Sequence, residues 1–257
     1  MTITQDDWDA HWSNYGDTSG ELNPANRMRE RIILDLLGKV PAGSTIVDIG
    51  SGQGDLAFLL AEQHPGVRVL GVEYSSEGVA RARRRATETG SGVSFLERNL
   101  LEEVTDADRS VGAQYAVCSE VLEHVDEPAV LLQNAAGFLA SGCRLVITVP
   151  GGPRSAFDRH IGHRRHFTPA LLANVIRDAG LEVVKTERAG FPFFNLYKLL
   201  VIARGEKLIA DIERGDAADS GQSSAARAVL VAIDRLLRFN APPGPFGWQV
   251  VGIARKP

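Results

Sequence analysis

The stretch IVDIGSGQGDLAFLLAE, Ile46 to Glu62, decides the fold. It opens as a β-branched apolar run, passes through glycines at 50, 52 and 54, and continues as a helical pattern. A strand, a tight glycine turn and a helix start present backbone N–H groups and the positive end of a helix to a ligand carrying a carboxylate or phosphate. The rest of the chain is read outward from this turn.

From Ser44 onward strand and helix alternate. STIVDIG is followed by a helix after Asp55, then VRVLGVE, a helix from Ser76 to about Gly90, and VSFLE. Next come AQYAVCSE, a helix beginning near Pro128, CRLVITVP, a helix opened by Thr168 and Pro169, and LEVVKTERAG. This order specifies an α/β fold built on a doubly wound, mostly parallel sheet. The alternation then breaks. Residues from about Asn195 to Asn240 read as two helices joined by the polar loop ERGDAADSGQSSAA, and GWQVVGIARK reads as a final strand, so the helical pair is an insertion before the last strand. Ahead of the sheet, Leu22 to Gly38 reads as a helix, and Trp8, Trp12 and Tyr15 are aromatic anchors for a lid or an arm. The expected division is 1–40 as N-terminal helical arm or lid, 41–190 as ligand-binding core, 191–243 as insertion or cap, and 244–257 as the closing strand.

The chain has 257 residues, 44% hydrophobic and 23% charged, enough to bury one full α/β core with appendages. Lys+Arg 28 against Asp+Glu 32 gives a net charge of -4, which supplies no global field for a polyanion, so no nucleic-acid partner is expected. Cys118 and Cys143 lie in apolar, strand-like segments and read as buried residues of a reducing compartment. The start, MTITQDDWDAHWSNYG, has neither the basic residues nor the apolar run of a secretory signal, and FPFFNLYKLLVIARG is too short and too interrupted to span a bilayer. A cytoplasmic protein without a membrane span is the expectation.

Two ligand classes use a glycine turn after the first strand, dinucleotides and S-adenosylmethionine. The dinucleotide fingerprint places its third glycine where this chain has Asp55, a carboxylate that suits a helix N-terminus but repels a pyrophosphate. A sulfonium ligand with an amino-acid tail meets no such objection. The second strand ends at Glu73, which is placed to accept both hydroxyl protons of a ribose, and this feature fits either cofactor. Tyr74 beside it is placed to cover an adenine, and Asn99 to meet its edge.

With DIGSGQGD, an acid ending strand two, SEVLEHV, and GHRRHFTPALLANVIRDAGLEVV on the page in that order, the chain resembles a class I S-adenosylmethionine-dependent methyltransferase. It is similar to the ubiquinone-biosynthesis-like and natural-product small-molecule branch, over roughly residues 34–189. The resemblance implies a seven-stranded Rossmann-like sheet whose last strand is antiparallel, a role that Phe246 to Arg255 matches. It implies that Gly50, Ser51 and Gly52 line the methionine moiety and that Asp48 orders the glycine loop or meets the amino group. Glu73 is then the ribose ligand, Tyr74 and Leu100 flank the adenine with Asn99 beside it, and Ser119 with Glu120 closes over the sulfonium end. The acceptor is expected to be a small molecule methylated on oxygen, in secondary or modified-sugar metabolism. Methylation of nitrogen or carbon, a non-methylating S-adenosylmethionine-binding protein and a nicotinamide oxidoreductase are the alternatives.

An alcohol or phenol acceptor needs a base, whereas a carboxylate needs only a cationic cradle. His124, following the fourth strand, has the intrinsic basicity for that task, and His163 and His166 are candidates in the cluster DRHIGHRRHFTP, with His160 and Arg154, Arg159, Arg164 and Arg165 around them. No metal site is expected there, because the histidines lack a nearby carboxylate set and four arginines repel a cation. The run RARRRA, Arg81 to Ala86, reads as a solvated helix face. Phe191, Phe193, Phe194 and Tyr197, with Phe246 and Trp248, are expected to roof an apolar acceptor or to pack the helical pair.

Overall fold

The computed structural model describes residues 8–9, 23–213 and 224–257. Trp12, Tyr15 and most of the loop joining the helical pair lie outside the described residues. Seven strands form one sheet: β1 Thr45–Ile49, β2 Arg68–Glu73, β3 Ser94–Glu97, β4 Ala113–Ser119, β5 Leu139–Pro150, β6 Glu182–Ala189 and β7 Gln249–Arg255. Their spatial order is β3-β2-β1-β4-β5-β7-β6. All pairings are parallel except those of β7, which runs antiparallel to both β5 and β6. The mixed sheet is therefore the α/β, doubly wound, seven-stranded arrangement expected, with the direction reversed only at β7.

The helices are α1 Pro24–Leu37, α2 Asp55–Gln63, α3 Ser76–Thr89, α4 Asp106–Arg109, α5 Pro128–Ala135, α6 Ala156–His160, α7 Pro169–Asp178, α8 Phe193–Glu213 and α9 Ser224–Leu237. Local chemistry starts and stops them. Asn23 accepts the Ala25 N–H and Pro24 occupies the first turn of α1, Ser75 accepts the Gly78 N–H of α3, and Thr168 followed by Pro169 caps α7 through Leu171 N. Sequence periodicity did not reveal α4 or α6, which are four and five residues long; each is held by a reciprocal capping box, Thr105 with Asp108 and Ser155 with Asp158.

Alternation along each strand divides the core between the two sheet faces. Ile46, Val117 and Val146 pack with Leu37, Leu60 and Val79 under α1, α2 and α3, while Val47, Cys118 and Ile147 pack with Leu132, Leu172 and Ile176 under α5 and α7. Both cysteines are buried and free. A third cluster joins Ala25 and Met28 of α1 to Phe194 of α8 and Leu237 of α9, with Phe193, Tyr197 and Trp248 packed against it. The aromatics expected to roof an acceptor are thus spent largely on packing the helical pair against α1. In α8 the backbone leaves helical geometry at Gly205.

The arginines of α3 are more committed than a solvated face requires. Arg83 donates to Phe95 O at 2.8 Å, and Arg85 pairs with Asp55 while lying 4.4 Å over the Phe58 ring. Among the described residues, no helix is long and apolar enough to cross a membrane.

Candidate active site

Chain order reverses between β1 and β4, and ligands of such sheets bind at the carboxyl ends of the strands beside that switch point. A cavity of about 630 Å³ lies there, within the usual range for small-molecule sites. Its wall includes all ten residues expected to meet the ligand: Asp48, Gly50, Ser51, Gly52, Glu73, Tyr74, Asn99, Leu100, Ser119 and Glu120.

The glycine turn is shaped for close approach. Gly50, Gly52 and Gly54 have φ of 71°, 53° and 92°, the left-handed region that other residues avoid. A Cβ at Gly50 would fall 2.4 Å from Val121 Cγ2. The loop is fixed by Glu73, whose Oε2 accepts the Gly52 N–H at 2.7 Å and whose Oε1 accepts the Ser75 N–H at 2.8 Å. Burial raises the Glu73 pKa, and the backbone N–H donors oppose the shift. Glu73 therefore holds two turns together while lining the cavity.

Asp48 is the electrostatic anomaly. It is 2% exposed, its Oδ2 has no hydrogen-bond partner among the described residues, and burial, then Glu73 and Asp55, push its pKa up to about 7. Ser51 Oγ on the same wall is also buried without a partner among the described residues. Orphaned acceptors facing a cavity are what an ammonium-bearing ligand would satisfy. Asp48 also gives a stability prediction. Between the unfolded pKa near 3.8 and the folded value of about 7, the folded chain holds a proton that the unfolded chain has lost, so stability declines as pH rises through this window. Asp48→Asn should raise the melting temperature of the ligand-free protein at pH 8, with a ceiling on the order of 4 kcal/mol, and the gain should vanish below pH 4. A mutant less stable than wild type at pH 8 would show that the buried carboxylate is already compensated.

At the end of β4, Glu120 adopts φ 57°, a left-handed conformation costly for a residue with a Cβ. Its side chain is gripped from three elements: Gln249 Nε2 donates to Oε1 at 2.8 Å, Thr148 Oγ1 at 3.3 Å, and Arg29 of α1 lies 3.5 Å from Oε2. Ser119 Oγ shares a hydrogen bond with Thr148 Oγ1 at 2.8 Å. The amide of Asn99 is committed to its own turn, donating to Glu102 and accepting from Leu101 N. Tyr74 is 46% exposed at the rim, whereas Leu100 is buried.

The three histidine candidates separate in space. His124 lines the cavity, with the Trp8 ring edge-on at 4.8 Å. His163 and His166 are not among the described residues of the wall and stand behind it, with the His163 ring 4.8 Å from that of His124. Their tautomers follow from the acceptors. Gly152 O can only accept, so His166 Nδ1 donates to it at 3.1 Å, and His166 Nε2 accepts the hydrogen bond of the His163 Nδ1–H at 3.3 Å. Burial, then the neighbouring His124, pushes His163 down to about 3, leaving it neutral.

The expected absence of carboxylates near these histidines is overturned. Glu123 is fully buried, with Oε1 3.9 Å from His124 Nε2 and 4.0 Å from His163 Nε2, and burial drives its pKa well above the carboxylate range. Asp158, 1% exposed, lies within 3.9 Å of both His163 and His166, and Lys198 of α8 neutralises it at 2.6 Å. Asp158 and Glu123 stand beside these histidines in the sequence, but their burial and the approach of Lys198 come only from tertiary packing. The arginines around the histidines mostly stitch the loop: Arg154 donates to the His163 and Arg164 carbonyls and Arg165 to Asp126 O, while Arg164 pairs with Asp126 and also lines the cavity.

Sequence reasoning missed the contribution of α1. Asn26, Arg29, Glu30 and Ile33 line the cavity at i, i+3, i+4 and i+7, a helical stripe present in the sequence but hidden by the apolar positions between them.

Comparison with known proteins agrees with the geometry. A family model described as a methyltransferase domain matches residues 23–186. The chain is 30% identical over 208 residues to a ubiquinone biosynthesis O-methyltransferase of Aeromonas salmonicida (strain A449), covering 73% of this chain and 84% of that protein. In fold it is similar to phosphoethanolamine N-methyltransferase 2 of Haemonchus contortus, solved with S-adenosyl-L-methionine, at TM-score 0.61 and 19% identity over 99% of this chain and 58% of that one. It is also similar to a cyclase, SpnF, at TM-score 0.59 and 18% identity over 91% and 81% of the two chains. The chain belongs to the methyltransferase domain family and is a class I S-adenosylmethionine-dependent methyltransferase that takes S-adenosylmethionine as its methyl donor.

Proposed function

We propose that the enzyme methylates a hydroxyl oxygen of a small molecule, with His124 as the general base. The observation that carries this reading is the position of His124 on the wall of the same cavity as the donor-site residues. The 30% identity to a ubiquinone biosynthesis O-methyltransferase supports oxygen as the acceptor atom. S-adenosylmethionine supplies an activated methyl group whose leaving group is a neutral thioether. The protein has to align the acceptor and remove its proton, and alignment alone can be worth roughly 10⁵ M in effective molarity.

In this reading Glu73 accepts the ribose hydroxyls and Tyr74 and Leu100 flank the adenine, with Asn99 at its edge. Gly50, Ser51 and Gly52 let the backbone approach the methionine moiety, Asp48 meets its ammonium and Arg29 its carboxylate. Ser119 and Glu120 close the sulfonium end. His163 and His166 act indirectly, by fixing the loop behind His124. Methylation of nitrogen or carbon is the competing chemistry. Incubation with methyl-labelled donor and matched panels of phenols, sugars, amines and carboxylates tests this: label transfer to hydroxyl acceptors is expected, and transfer confined to amines would overturn it.

Trp8 and Asp9 cover the rim of this site. Asp9 Oδ1 accepts from Ser75 Oγ at 2.5 Å and Glu77 N at 3.1 Å, capping α3, while its neighbour Trp8 lines the cavity against His124. These bonds lower the Asp9 pKa. Asp9→Ala is expected to raise the Kd for S-adenosylhomocysteine by roughly 3- to 10-fold, the loss of one or two hydrogen bonds at a partly exposed site, and Asp9→Asn to recover much of it. Identical Kd values in a calorimetric comparison of Asp9→Ala with wild type would show that Asp9 takes no part in cofactor binding.

A further inference from the structure

We propose that the base of the helical insertion, around Phe191, Phe239 and Phe246, docks the enzyme onto the surface of a negatively charged lipid bilayer. Phe239 is 74% exposed and Phe246 65%, values unusual for phenylalanine in a folded chain. They belong to one patch: the Phe191 and Phe246 rings lie 5.6 Å apart, Ala241 N donates to Phe191 O at 2.7 Å, and Asn240, next to Phe239, accepts the N–H groups of Phe193 and Phe194. The patch continues along α8, where Leu196, Leu199 and Leu200 share one exposed face at helical spacing. On α9, Val229 and Leu236 are exposed as well.

Charge identifies the occupant. Among residues 191–205 and 227–247, whose side chains are described, Arg204, Arg227, Arg235 and Arg238 are exposed, and the one acid, Asp234, is buried and paired with Arg31 at 2.8 Å and with Arg238 at 3.5 Å. The remaining acids of the insertion, Glu206, Asp211, Glu213, Asp216 and Asp219, follow the Gly205 kink and are separated in sequence from the phenylalanines. Aromatic and aliphatic side chains projecting from an arginine-bearing surface match the interfacial region of an anionic bilayer, where apolar side chains enter the acyl boundary and arginines stay with the headgroups. A second copy of this chain would bring like charges together across the same patch. Because Leu237 packs on Ala25 and Met28 of α1, and α1 forms part of the cavity wall, the docked surface stands one helix from the site.

The test is sedimentation of the full chain with vesicles of phosphatidylglycerol and, separately, of phosphatidylcholine. The wild type is expected to partition at least about tenfold more strongly onto phosphatidylglycerol and to be released by salt. Phe239→Ser with Phe246→Ser, and independently Arg235→Gln with Arg238→Gln, should each reduce that partitioning by about tenfold or more while leaving S-adenosylmethionine binding unchanged. Equal partitioning onto both lipids, or no loss in either double variant, would overturn the proposal. So would a dimer in analytical ultracentrifugation that the phenylalanine pair abolishes, which would assign the patch to a second copy. None of these readouts uses methyl transfer, so they stand or fall separately from the choice of acceptor.

Discussion

Glu73→Ala is expected to weaken S-adenosylmethionine binding by about 1 to 3 kcal/mol, roughly a 5- to 150-fold rise in Kd by calorimetry. The structure gives two reasons to expect the upper part of that range. The carboxylate lines the cavity, where the proposed function gives it the ribose hydroxyls, and it also binds the buried Gly52 and Ser75 N–H groups, which alanine would leave without an acceptor. Glu73→Gln does not restore the second role. It retains one acceptor oxygen, but its amide NH2 replaces the second acceptor with a donor that opposes one of those N–H groups, so it too should bind the cofactor poorly. Unchanged affinity in the alanine variant would sink the assignment of Glu73 to the ribose.

His124→Ala is expected to lower kcat by about 10² to 10⁴, the range for a positioned general base, with cofactor affinity nearly intact. His163→Ala should cost less, because His163 stands behind the wall and contacts His124 ring to ring. With its pKa pushed down to about 3, His163 also contributes no titration between pH 5 and 8, so an acid limb of the pH–rate profile in that window must come from another group. Normal turnover by His124→Ala would mean that the acceptor has no proton to lose, and a carboxylate beside Arg164 would then be the better substrate model.

The glycine turn was legible because its requirement is local: a left-handed backbone at positions 50, 52 and 54 demands glycine. Glu73 and Ser119 close strands that the sequence pattern located, and the full set of ten residues on the cavity wall came from the family resemblance. The rest of the site depends on contacts distant in sequence. Arg29 reaches Glu120 across 91 positions of chain, and Lys198 reaches Asp158 across 40. Three histidines at intervals of three looked like one cluster, but α6 and the loop after it turn His163 and His166 away from the cavity, and the neighbouring carboxylates of Glu123 and Asp158 gave no sequence sign that they would be buried among them. The aromatics of FPFFNLYK carried two readings, and packing between α1, α8 and α9 took most of them.

By itself the sequence determined the α/β layering, the seven strands and the glycine turn, because apolar periodicity, capping residues and positive-φ glycines act within a few residues of chain, and its resemblance to a known family identified the methyl donor. Tertiary structure alone decided which histidine faces the cavity, that α1 completes its wall, that Glu120 is held in a left-handed conformation by β5, β7 and α1, and which aromatics are buried or left facing solvent. Those outcomes are set by side chains from distant elements competing for the same space and the same hydrogen bonds, and no local pattern encodes the result of that competition.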